Sequence, residues 1–462
     1  MKQSGQLFAG VAEIDVTPAM GVQIAGNIGA LRPTRKVEER LFARALVLKQ
    51  GETRLCYFTS DVLAIRSDYA QAIRRDAESR FKIKPGELIV NCTQNHASPS
   101  VGHCFCLDES IWRQWVRGGD LEWVLGGDQG YNVVFHERAL SVIGDALGRL
   151  QPVTAHAARG TEGRIAFNRR TVMRDGSGAM HAAAGDPNVM YVEGPADPEV
   201  SILLLKDRDE TPVAALLHFT SHPCHSVDPL TISHGWPGAW CDGMKPLLGG
   251  GLPFVVNGCC GDVHPRNPIA PDQTKTYREM GRILTTDAQK IMERLTPVDG
   301  PLLNAVRTLR IPLRDLDVVK VRNAERLLAK HPDPMWVNVE KTQISWEWIY
   351  AISMIDLARH KEVHPYFDYE VQAFRIGGLS LLALTGEPFV SAQLKIKLNA
   401  PAPFTMIAHM SNGYVGYIPT PEAIRRGGFE AEVCNWSKLA VNALDTITDT
   451  SIEVLRELAG RG

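Results

Sequence analysis

Short apolar runs bounded by Gly, Pro or polar residues recur at 43–48, 53–58, 87–91, 213–219, 253–257 and 379–384. Their length suits strands and is too short for buried helices, so they predict the strands of a buried sheet. Between them, apolar residues return every three or four positions over 67–81, 132–149, 272–294, 318–330 and 342–359, which predicts helices. Strands interleaved with helices imply an α/β fold: one large catalytic domain with mixed central sheets flanked by helices. Residues 318–361 predict a helical hairpin, an insertion or lid, with His331, Pro332 and Pro334 in its loop. Segment 101–130 has weak periodicity, and its Trp112, Trp115 and Trp123 either wall a pocket or pack on the core.

The 462 residues have room for several average domains, but no low-complexity linker or fixed-period repeat divides them. One continuous unit over 1–462 is the simplest organisation. Lys+Arg 50 against Asp+Glu 52 leaves a formal charge of -2, so no basic field invites nucleic acid or an anionic membrane. The expected partner is a small-molecule substrate, and the chain is compatible with a homo-oligomer. The opening MKQSGQLFAGVAEIDVTP lacks the basic and apolar regions of an export signal, and no long apolar span follows, so stable membrane insertion is not expected. Nine cysteines, an odd number without a regular framework, read as reduced thiols in a cytoplasm.

The chemistry concentrates where strands end. His218–Ser226 reads HFTSHPCHS and Pro253–Pro265 reads PFVVNGCCGDVHP, so His218, His222, His225, His234 and His264 share one window. Neutral imidazole is the commonest ligand for a transition metal, which makes a metal site the first hypothesis. Three further strand-to-loop transitions carry candidate groups: VNCTQNHASP with Gln94 and His96, TGEPF with Glu387, and NGYVGYIP with Tyr414 and Tyr417. His225 and His234 also suit structural hydrogen bonds. His103 beside Cys104 and Cys106 lacks a second paired half, and Cys259-Cys260 suits close packing. Asp262 stands where a carboxylate could orient the imidazole of His264.

The order VAEIDVTPAMG, LFARALVL, TQNHASP, NRR, DPEV, SHPCHS, GDVHPR, TGEPF and NGYVGYIPTPE, from about Val11 to Glu430, resembles the neutral ceramidases and their shorter bacterial relatives. With the chain stopping at Gly462, no C-terminal immunoglobulin-like domain is expected, nor extracellular ceramide turnover. The resemblance implies a zinc ion held at His222, Glu387 and Tyr417, with Tyr414 the alternative to Tyr417. Gln94 stands at the remaining ligand position, where the family has histidine. A glutamine amide is a poor zinc ligand beside imidazole, so His96 or His264 is the candidate replacement. His264 stands where the family has a catalytic serine, and Phe429 where it has a second active-site tyrosine. Arg169, beside Arg170, matches an arginine directed at substrate.

Three outcomes follow. A zinc site persists; or manganese, magnesium or calcium replaces zinc because oxygen donors are prominent; or the metal is gone and His96, His264 and Glu387 perform acid–base chemistry. The reading taken forward is a metal-dependent hydrolase cleaving an amide bond of a small polar metabolite, with His96, His264 and Arg169 catalytic and His222, Glu387, Tyr417 and Gln94 around the metal. Its rivals are a non-hydrolytic isomerase or lyase acting on a small carbohydrate, and a non-catalytic metabolite-binding protein.

Overall fold

The computed structural model describes residues 5–116, 119–225 and 227–461, so Ser226 of the histidine-rich segment lies outside the described residues. Alternation along the strands fixes the layers. In the strand Phe42–Gln50, Ala43, Ala45 and Val47 face one apolar cluster and Leu46 and Leu48 face another, and all five are buried. A strand apolar on both faces needs cover on both.

The main sheet is built from β1 (Leu7–Asp15), β2 (Phe42–Gln50), β3 (Thr53–Ser60), β4 (Leu88–Val90), β5 (Gln151–Thr161), β6 (Glu199–Lys206), β7 (Pro212–Phe219) and β8 (Leu252–Asn257). Its spatial order is β8-β7-β6-β5-β1-β2-β3-β4, with the short strand Thr296–Pro297 added to β5. The outer pairs β7–β8 and β3–β4 are parallel and the inner pairs antiparallel. A second sheet follows in the order β9 (Leu302–Pro312), β10 (Tyr366–Ile376), β11 (Leu379–Leu384), β12 (Phe404–Ala408), with β11–β12 parallel. The two sheets face each other across one cluster in which Leu46, Leu48, Phe254 and Val256 meet Phe374, Leu381, Ala383 and Met406.

Helices cover the outer faces. On the main sheet, α1 (Ser67–Phe81) and α2 (Gln129–Leu147) cover the β1–β4 half, while α3 (Gly235–Met244) and α4 (Tyr277–Met292) cover the β6–β8 half. The hairpin α5 (Val318–Lys330) and α6 (Trp346–Val363) packs on itself and joins the cluster under α1 and α2. On the second sheet, α7 (Val390–Asn399) packs on α8 (Ala443–Gly460), which in turn packs against β9 and β10, and all four share one apolar cluster. The result is an α-β-β-α stack of mixed sheets flanked by helices.

Capping sets the bounds that periodicity blurred. The periodic stretch 272–294 yields a helix only from Tyr277, because Thr276 and Glu279 form a reciprocal capping box. The stretch from 342 becomes helical only at Trp346, because the Ser345 side chain accepts the Trp348 N–H. Trp112 is buried and donates its Nε1–H to Asp356 at 2.6 Å, and Trp123 stacks near Trp336, so both pack on the core rather than walling the site. Among the described residues, no helix is long and apolar enough to cross a membrane.

Candidate metal centre

Five strands deliver their C-terminal ends to one place. His96 follows β4, His222 follows β7, His264 follows β8, Glu387 follows β11, and Tyr414 and Tyr417 follow β12. Parallel neighbours present their C-terminal ends together, and here three parallel pairs from two sheets do so. The loops are stitched by backbone hydrogen bonds: His222 N–H to Val263 O, His96 N–H to Pro223 O, Gly261 N–H to Pro388 O, and Asn412 N–H to Val90 O at 2.7 Å. Glu387–Pro388 also pairs parallel with Tyr417–Ile418. Gln94, His181 and Met410 line the resulting cavity with left-handed backbones, a conformation that side chains adopt only where the surroundings impose it.

The cavity holds about 330 Å³, and His96, His264, Arg169, His222, Glu387, Tyr417 and Gln94 all line it. Its centre is an imidazole pair. Nε2 of His96 lies 2.8 Å from Nε2 of His222. The Nδ1 of His96 is 3.2 Å from Gly26 O, and the Nδ1 of His222 is 3.2 Å from Cys260 O. A carbonyl only accepts, so each ring carries its proton on Nδ1 and turns a bare Nε2 lone pair toward the other.

A bridging proton would relieve the clash, but burial, with the charges of Arg32 and Arg169, holds His96 down to about 3. Burial and the charge of Arg169 likewise keep His222 well below the ordinary histidine value. Two converging acceptors with no proton between them are what a bound cation stabilises, and backbone carbonyls on the far nitrogens are the usual support for metal-ligating histidine. Cys224 completes the set: ligand atoms of His96, His222 and Cys224 all lie within 4.8 Å of one another. Gly26, at φ +90, approaches so closely that a Cβ there would sit 2.5 Å from His96 Nδ1. Only glycine leaves the ring in place.

Glu387 supplies the second feature. It is buried; Tyr414 donates to Oε1 at 3.1 Å, while Oε2 has no hydrogen-bond partner. Burial raises its pKa to about 7, against the opposing pull of Arg169, Gln94, Tyr414 and Tyr417. An orphaned, buried carboxylate oxygen in the cavity of a bare imidazole pair fits a divalent cation.

Arg169 lines the cavity and Arg170 does not, which separates the neighbouring arginines. Arg169 donates to Glu430 at 2.7 Å and to Gly261 O at 2.8 Å, with its guanidinium 5.5 Å from the centroid of Tyr417. Arg170 is bound by Glu430, Glu193 and Gly427 O. Phe429, Trp346 and Trp436 form an aromatic wall, so the hairpin contributes Trp346 to the cavity.

The histidine-rich window divides on inspection. His218 lies within β7, fully buried between strands, and His234 pairs with Asp242 at 3.0 Å. His225 lines an adjoining outer chamber with Tyr277. Asp262 does not orient His264: its two oxygens accept from Val390 N–H and the Asn168 amide. The Nδ1 of His264 instead accepts the Arg266 N–H at 2.9 Å, which places the ring proton on Nε2. His103 binds Glu109, and Cys104 and Cys106 are buried in the core, away from the cavity. Sequence reasoning missed Cys224 and His181. Cys224 was legible as the C of SHPCHS, two residues from His222; His181, in a turn after Gly178–Met180, had no motif to mark it.

No protein-family model matches the chain, and no curated protein matches it. Among solved structures, neutral ceramidase from Pseudomonas aeruginosa superposes with a TM-score of 0.71 at 18% identity, over 99% of this chain and 75% of that one. The fold is neutral-ceramidase-like. A structure described as ceramidase complexed with C2 gives a TM-score of 0.70 at 16% identity, over 99% of this chain and 76% of that one. The neutral-ceramidase-like fold therefore spans practically the whole chain, although identity is low.

Proposed function

We propose that this protein is a metal-dependent hydrolase that cleaves an amide C–N bond of a small polar metabolite. The carrying observation is the His96–His222 pair, two bare Nε2 atoms 2.8 Å apart in the cavity that also holds the orphaned Oε2 of Glu387. His96, His222 and Cys224 would hold the ion, with Glu387 facing the same space; Gln94 and Tyr417 then act on Glu387, whose charge they favour. Two imidazoles and a thiol favour zinc over manganese, magnesium or calcium. When bound, such an ion polarises a carbonyl and acidifies water.

The remaining steps belong to the side chains. Glu387, with a pKa near 7, accepts the proton released by the attacking water. Protonated Glu387 returns that proton to the departing nitrogen, toward which the neutral His264 ring donates an Nε2–H hydrogen bond, and Arg169, fixed by Glu430 and Gly261 O, stabilises the oxyanion face. The aromatic wall of Trp346, Phe429 and Trp436 excludes water from the acyl side. The neutral-ceramidase-like fold supports amide cleavage, and nine unpaired cysteines support a reducing, cytoplasmic setting.

The test is an amide screen with zinc-loaded protein, reading amine and carboxylate release together. Stoichiometric release that is abolished by Glu387→Ala and His222→Ala supports the reading. Isomerised or dehydrated product without amine would replace it with acid–base chemistry on a carbohydrate.

A further inference from the structure

A second, larger chamber of about 770 Å³ adjoins the inner cavity, and His181, Cys224 and His264 line both. The two spaces differ in chemistry. The inner one is walled by Ile28, Phe105, Met180, Trp346, Phe429 and Trp436, whereas the outer one contains Arg266, Lys275, Arg278 and His225. Arg278 is already paired with Glu38 and Glu39, and Glu38 is the acidic residue of the lining.

Arg266 is different. It is half-buried, its backbone N–H is committed to His264, and its guanidinium has no hydrogen bond or ion pair among the described residues. Beside it, Nε2 of His225 and Nδ1 of His181 are buried without a partner. A guanidinium left without a protein acceptor, next to two buried and unpartnered ring nitrogens in the same chamber, offers converging donors that an anion would complete.

We infer that the outer chamber binds a carboxylate of the substrate on Arg266, so that the substrates are N-acylated amino acids with a short apolar acyl group in the inner cavity. A planar carboxylate matches the two-pronged guanidinium. The amide then lies at the boundary, beside His264 and the His96–His222 pair. This inference rests on the hydrolase reading. In the reaction, water adds to the acyl carbon, the C–N bond breaks, both water protons end on the departing nitrogen, and an acyl carboxylate and an amino acid with a protonated amine result.

The experiment compares N-butanoylglycine with N-butanoylglycinamide, in which an uncharged carboxamide replaces the carboxylate, by initial rates of glycine or glycinamide release and by calorimetric binding, in wild type, Arg266→Met and Arg266→Lys. Wild type is expected to prefer the acid by about 10- to 100-fold in kcat/KM and in affinity, the scale of a charged hydrogen bond. Arg266→Met should erase the preference through KM, and Arg266→Lys should restore part of it. A merely structural role for Arg266 would weaken both ligands equally and overturns the assignment. Equal hydrolysis of both amides by wild type overturns the carboxylate site while the hydrolase reading stands. No hydrolysis with preferential, Arg266-dependent binding of the acid retains the carboxylate site and removes the hydrolase. Neither hydrolysis nor preference overturns both.

Discussion

The Nε2 atoms of His96 and His222 approach to 2.8 Å while each ring donates its Nδ1 proton to a backbone carbonyl, Gly26 O in one case and Cys260 O in the other. The geometry depends on Gly26. Gly26→Ala would push a methyl to 2.5 Å from His96 Nδ1 at a backbone φ of +90. Zinc affinity should fall about 10- to 100-fold, as for lost support of a ligating histidine. Chelator competition measures it; unchanged affinity would show that His96 does not bind the ion.

Cys224 makes a spectroscopic prediction. Its thiol is held up to about 12 chiefly by burial, so a cation within reach is what would draw out the thiolate. Cobalt-substituted protein should show a thiolate-to-cobalt charge-transfer band in the near ultraviolet, absent from Cys224→Ser. The same band in both proteins would exclude Cys224 and return attention to Glu387 and Tyr417 as the further donors.

Glu430 holds both Arg169 and Arg170, and its side chain has no solvent exposure. Burial disfavours its charge, yet the two guanidinium groups keep its pKa below the ordinary value. Glu430→Gln leaves two buried cations short of a counter-ion and should cost about 3–5 kcal/mol by denaturant unfolding. A loss below about 1 kcal/mol would mean that Glu193 and the carbonyls suffice.

Much of the layer structure was legible because its strands are apolar on both faces. The runs around β2, β3, β7, β8 and β11 announced themselves. The long strand β5 did not: its half-exposed pattern mixes Gln151, Thr154, His156 and Arg159 with alanines, and its partners on both sides define it. The helix α3, GWPGAWCDGM, has two interior glycines and a proline and forms because Trp236, Trp240 and Met244 are buried against β8 and α4. Propensity yields to packing there.

For the site, all seven candidate residues meet in one cavity: six sit where an apolar run breaks, and Arg169 was marked by the family resemblance alone. What the sequence could not supply was direction. His218 and His222 are four residues apart, yet β7 buries the first between strands and ends before the second. Cys224 reaches the pair only because the loop after β7 folds back, with His222 bonded to Val263.

His234 links pH to stability. Burial disfavours its charged ring, but the hydrogen bond to Asp242 and the charges of Asp61 and Asp242 outweigh it, so its pKa lies above the ordinary value. Stability from a raised histidine is complete below about pH 6.5 and lost as pH rises through the folded value. The Asp242 side chain is 58% exposed, so the pair contributes only about 0.5 kcal/mol. His234→Gln should lower the Tm at about pH 5.5 and leave it nearly unchanged at about pH 9. An equal loss at both would assign His234 a packing role alone.

The most direct test is elemental analysis of protein purified without added metal, beside His96→Ala and His222→Ala. The account predicts about one zinc per chain in the wild type and little in either variant, because each removes one of the two converging imidazoles. No metal in the wild type after reconstitution with zinc and with manganese, or full occupancy in both variants, would contradict it.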